Sequence, residues 1–155
     1  MPPNLAVART GVPVNQPLWQ ALDFSMKNSE EHNFFILFDA VTREPWKVKE
    51  IVQGNEDILA AKNSIGENVL HHLAVANNLE AVRILRGYGS EIPPYAIAEV
   101  VSLGNIDMLA LLLELGGEPV ISSCNSNLKI AKMSKSKKYE VRGVFRAYGL
   151  SLIHI

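Results

Sequence analysis

Three stretches of this chain carry side chains that could do chemistry. His71-His72 sets two imidazoles side by side. Neighbouring residues on a helix point about 100° apart, so the pair cannot close on one metal ion as an i, i+4 pair does. Ser122-Ser123-Cys124-Asn125-Ser126 offers hydroxyls and a thiol. No base is placed beside it and no strand leads into it as a nucleophile elbow requires, so the hydroxyls suit a polar loop. Lys129, Lys132, Lys135, Lys137 and Lys138 form the one dense charge cluster. It suits an acidic partner, phosphates or a membrane surface, or simply a solvated end of the fold. No aromatic residues interleave with these lysines, which counts against single-stranded nucleic acid.

The remaining composition narrows the classes. Gly87, Gly89, Gly104, Gly116 and Gly117 do not form a phosphate-binding loop; they recur as helix stops. No pattern for a cofactor or a metal is present. A lone cysteine among 155 residues excludes an internal disulfide and fits a reducing, cytoplasmic setting. No apolar run reaches the roughly 18 residues that a membrane helix needs, so no membrane insertion is expected. Residues 1–128 hold 8 basic and 15 acidic side chains, whereas residues 129–155 hold 7 and 1. The two ends should therefore present opposite potentials.

The elements that position these groups are short helices. Around His71, Gly66 can take a positive φ and Asn68 can cap a helix. Leu70, Leu73, Ala74 and Asn77 then share one face, and Asn77-Asn78 breaks the helix. Leu79, Val82, Ile84 and Leu85 mark a second helix, ended by Gly87 and Gly89. Neither helix is long enough to be stable alone, so the pair needs stacked neighbours.

This stretch resembles one ankyrin repeat. Gly66, Leu70, His71, Ala74, Leu79, Glu80, Val82, Leu85 and Gly89 fall in the family's register, while Asn68-Val69 replaces Thr-Pro and Asn77 replaces the turn glycine. Further units follow by offset: Ala40 to Ala74 and Val48 to Val82 at 34, Leu70 to Ile97 and Gly89 to Gly116 at 27, Ile97 to Ile130 and Gly116 to Gly149 at 33. The expected fold is therefore all-α, an ankyrin-like solenoid with units near 33–63, 64–90, 91–117 and 118–150. A capping helix is expected over Leu18–Met26 behind an extended arm at 1–17, giving one domain over 18–155. The last unit's first helix is expected around Leu128, Ile130, Ala131 and Met133.

The resemblance implies a non-enzymatic module that binds another protein through the concave face lined by first helices and turn tips. It places His71 in a structural hydrogen bond and leaves His72, Val75 and Ala76 exposed. Their counterparts are Phe38, Val41 and Thr42, then Glu99 and Ser102, then Lys132 and Lys135. Ser64, Ile65, Glu67 and Tyr95 fall at or near turn tips, with Ile65 and Tyr95 the best anchors. The short step of 27 removes a hairpin and is expected to leave a notch beside Tyr95. A monomer or weak dimer suits such a module, and so does an effector delivered into a host cell. The rival is a nucleic-acid-binding or small enzymatic all-α protein that uses the lysine cluster.

Overall fold

The computed structural model describes residues 30–152. The arm at 1–17, the helix expected over 18–26 and the final tail residues 153–155 lie outside the described residues. The chain divides between Val69 and Leu70 into two units.

In the first unit, α1 spans Glu30–Arg43, with Glu30 and Glu31 in its first turn and Arg43 in its last. That distribution follows the helix dipole, which favours acids at the N-terminus and bases at the C-terminus. Phe34, Leu37, Ala40 and Val41 form its buried stripe. Pro45 then opens a 3₁₀ turn, Pro45–Lys47, because a first-turn position asks for no N–H. Helix α2 (Val48–Gly54) buries Val48 and Val52, and a second 3₁₀ turn, Glu56–Ala60, buries Ile58. Helix α1 packs on α2 and on both turns.

A tight turn closes this unit. Lys62 and Asn68 form an antiparallel bridge. Asn63 holds the reversal: its carbonyl accepts from Gly66 N–H at 3.0 Å, and its Oδ1 accepts from Ile65 and Glu67 N–H at 3.1 and 2.9 Å. Gly66 sits at φ 84°, the left-handed geometry its position demands.

Among the described residues, the second unit contains six helices: α3 (Val69–Val75), α4 (Leu79–Gly87), α5 (Pro94–Leu103), α6 (Ile106–Glu114), α7 (Ile121–Ile130) and α8 (Lys135–Ala147). Asn77 stands between α3 and α4 at φ 63°, and its side chain type tolerates what usually needs glycine. Its N–H bonds to Ala74 O and the next N–H to Leu73 O, a Schellman closure. The same pair of bonds ends α4 at Gly89, α6 at Gly116 and α8 at Gly149. Asn78 caps α4 by accepting from Ala81 N–H at 3.1 Å.

Helix α5 packs on both α6 and α7, and α6 packs on α8. First helix therefore meets first helix, and second meets second, in consecutive hairpins. Hydrogen bonds tie one hairpin to the next. Arg86 donates through Nε to Leu115 O at 3.0 Å and through its NH1 group to Ser90 O at 2.9 Å. Asn127 donates to Ala98 O at 2.8 Å. Gly117 fits only because it has no side chain: a Cβ there would lie 2.7 Å from Leu112 O and 3.0 Å from Ile97 Cδ1.

One expectation is corrected. Leu128, Ile130, Ala131 and Met133 do not form the last first helix, because α7 ends at Ile130 and Ala131 is extended. The offset of 27 persists instead: α5 and α7 begin at Pro94 and Ile121 and end at Leu103 and Ile130. The extra length lies partly in the connection 131–134 and mostly in α8, which has 13 residues against 9 in α6. Ser122 to Ser126 accordingly lie on a helix rather than in a loop.

Candidate partner-binding groove

The link between α4 and α5 is short and stiff. Ile92 is buried and anchors it, Pro93 is extended at φ −64° and ψ 138°, and Pro94 occupies the first turn of α5. Proline fixes φ and supplies no N–H, so this link leaves nothing for a hairpin ladder. Tyr95 follows at once and is 73% exposed.

The equivalent link before α7 is Gly117 to Val120, with Val120 extended and 47% exposed. Two short links in succession leave a groove of about 510 Å³. Pro93, Pro94, Tyr95 and Ala98 form one wall, and Val120, Ser122, Ser123, Ser126 and Asn127 the other. The Asn127 amide spans the floor by its bond to Ala98 O, which fixes the two first helices relative to each other. Among the described residues, no carboxylate, imidazole or ammonium lines the groove. It offers an aromatic ring, two prolines, an aliphatic side chain and hydroxyls that donate and accept.

None of the described residues in that lining is a base placed to activate the serines. Cys124 sits on the opposite, inner side of α7 at 0% exposure. Burial pushes its thiol from 9.0 up to about 11, so it remains a neutral, unreactive thiol at physiological pH.

Of the partner-binding residues expected from sequence, Tyr95 alone lines the groove; Ser122, Ser123 and Ser126, read from sequence as a polar loop, line it as well. Glu99 and Ser102 share its helix but are engaged there. Glu99 Oε1 lies 2.6 Å from His71 Nε2, and Ser102 Oγ donates to Glu99 O at 2.7 Å. His71 is buried, and its contact with Glu99 withdraws that carboxylate from the exposed row. On α3, His72 and Val75 are half-buried, and Ala76 is exposed just beyond the helix end.

In the first unit, Val41 is buried, not exposed, because the α1 stripe of Phe34, Leu37 and Val41 runs at i, i+3, i+7. Phe38 is half-buried and stacked on Phe34 at 6.0 Å. Thr42 is exposed, with its hydroxyl donating to Phe38 O at 2.7 Å. Ser64 and Ile65 are exposed in the Asn63 turn, Ile65 at 74%, and Glu67 is half-buried there. Lys132 and Lys135 are exposed but stand after α7, not on a first helix.

The far wall of the groove is absent from the expected site residues. A last first helix placed around Leu128 to Met133 leaves Ser122, Ser123, Ser126 and Asn127 to a loop. Carrying the offset of 27 forward from Tyr95 finds Ser122. No family model matches the chain, and no curated protein and no solved structure matches it.

Proposed function

We propose that this chain is a non-enzymatic, ankyrin-like interaction module that takes a partner protein on the groove beside Tyr95. The observation that carries the reading is an aromatic side chain left 73% exposed at the mouth of a groove with a proline wall. Large aromatic side chains in clefts are the usual anchors of protein interfaces. The stacking of like helices, the recurrence at 27 residues and the glycine or asparagine stop in each hairpin support the repeat construction. The uncharged lining suits apolar and backbone polar groups of a polypeptide better than a phosphorylated or strongly ionised ligand.

The test is affinity capture from a cell lysate with the native chain and with Ser126→Arg, which fills the groove from an exposed position. A defined protein retained by the native chain and lost with Ser126→Arg, at unchanged melting temperature, supports the reading. Equal capture by both chains overturns it.

A further inference from the structure

The junction of α7 and α8 gathers five lysines, and the acids near them, Glu140 and Asp107, stand beside Lys137. Lys129 stands in the last turn of α7, Lys132 in the connection, and Lys135 at the first position of α8; all three are exposed. No hydrogen bond or ion pair among the described residues engages their ammonium groups. Glu140, the single acid in residues 129–155, is held by Lys137 at 3.2 Å. Lys138 turns back and donates to Lys129 O at 3.2 Å, satisfying a carbonyl at the end of α7.

Helix stability does not account for this arrangement. The first turn of α8 holds Lys135, Lys137 and Lys138 and no acid. Helix N-termini already carry a partial positive charge, so lysines there work against the dipole. A solvated cap selected for stability would carry glutamate or aspartate at these positions. In the middle of the lysines, Ile130 is 76% exposed, the most exposed large apolar side chain among the described residues.

Cationic and apolar groups on one corner narrow the class of partner. A nucleic acid would use the lysines and leave Ile130 with nothing to bury against. A single strand would also ask for stacking rings among the lysines, and the ring that follows them, Tyr139, has the Arg146 guanidinium over it at 5.2 Å. An anionic bilayer meets both demands at once: headgroup phosphates and carboxylates for the lysines, and the interfacial layer for an aliphatic side chain.

We propose that the α7–α8 corner docks on an anionic lipid surface, with Lys129, Lys132 and Lys135 at the headgroups and Ile130 in the interfacial layer. The contact is peripheral, since no helix among the described residues is long and apolar enough to cross a membrane. It is reversible, since each lysine at such a surface contributes only about fivefold in partitioning. It is independent of the groove beside Tyr95.

The full chain is titrated with phosphatidylcholine vesicles that contain or lack phosphatidylserine, at ~0.1 M and ~0.5 M salt. Binding is expected only with phosphatidylserine and only at the lower salt. Lys129→Gln, Lys132→Gln and Lys135→Gln together should lower partitioning by roughly 100-fold. Ile130→Asn should weaken vesicle binding severalfold and leave retention on a heparin column unchanged. These positions are exposed, so circular dichroism and melting temperature should match the native chain. Equal binding to neutral vesicles, or none to anionic ones at low salt, overturns the proposal. Tight DNA binding that is indifferent to Ile130→Asn, with no vesicle binding, overturns it in favour of a nucleic-acid surface.

Discussion

His71 Nε2 and Glu99 Oε1 meet at 2.6 Å and tie α3 to α5 across 28 residues of chain. His71 is 6% exposed, so the carboxylate satisfies a polar atom that water does not reach. Losing one partner of a buried hydrogen bond costs more than the bond itself contributes, because the remaining group stays desolvated. Glu99→Ala should therefore lower unfolding free energy by about 1–3 kcal/mol in urea titration. Glu99→Gln keeps an acceptor and should recover much of the loss. An unchanged midpoint for Glu99→Ala would mean that the pair contributes nothing net.

Arg86 makes the second tie. Its guanidinium serves Leu115 O and Ser90 O, carbonyls just past the ends of α6 and α4. One planar group with fixed donor directions reaches both, whereas a lysine ammonium is a point charge on a flexible stem. Arg86→Lys should then recover less than half of the stability lost in Arg86→Ala, about 2 kcal/mol in chemical denaturation. Full rescue by lysine would show that charge, not geometry, matters here.

Two glycines test different physics. Gly117 has an ordinary backbone but no room, since an added Cβ would stand only 2.7 Å from Leu112 O. Gly117→Ala should destabilise by about 1–3 kcal/mol, the usual range for overpacking. Gly66 has the reverse situation: φ 84° and nothing within 4 Å of an added Cβ. Gly66→Val should cost about 1–2 kcal/mol from backbone strain alone, and Gly66→Asn much less. Equal losses for valine and asparagine at Gly66 would remove the conformational explanation.

These glycines also show what sequence could reveal about this fold. Gly66, Asn77, Gly89, Gly104, Gly116 and Gly149 all stand at positive φ, and each is legible because a stop is a local property of one or two residues. The short helices between them are legible from three-and-four spacing. Two parts of the site are harder. Ser122 to Ser126 look polar in isolation, and the buried face of that helix is made by Cys124, Leu128 and the polar Asn125, so its weak amphipathicity lets a neighbouring apolar set claim the register. The groove itself depends on two links, one ending in Pro93-Pro94 and one in Val120, being short together. The short step of 27 points to a notch beside Tyr95, but its second wall is a relation between distant residues that no local pattern encodes.

Cys124 gives a pH test with a definite sign. Its thiol is at about 11 in the folded chain against 9.0 for an ordinary thiol. The folded state therefore holds this proton more tightly than the unfolded state. The resulting stabilisation is fully present below about 9 and is lost as pH rises through 9 toward 11. Comparing unfolding free energies of the native chain and Cys124→Ala over that window isolates the effect from lysine and tyrosine titration. The difference between the two chains should shrink with rising pH. A difference that is flat across the window would show that the thiol is not perturbed.

Tyr95 decides the proposed interface. Its side chain is 73% exposed and follows two prolines that already fix the link, so its own contribution to the fold should be small. Tyr95→Ala should shift unfolding free energy by less than about 0.5 kcal/mol, the usual range for surface positions. In an interface, truncating a central aromatic anchor costs roughly 2 kcal/mol or more, near 30-fold in dissociation constant. Tyr95→Phe separates the ring from the hydroxyl: retained affinity assigns the energy to apolar burial, and a loss as large as in alanine assigns it to a hydrogen bond. Ile65→Asp changes an equally exposed side chain in the first unit, at the Asn63 turn. If the partner also uses that turn tip, this substitution weakens binding as well, again without lowering the melting temperature. Affinity that survives Tyr95→Ala unchanged would remove the groove from the interface, whatever Ile65→Asp does.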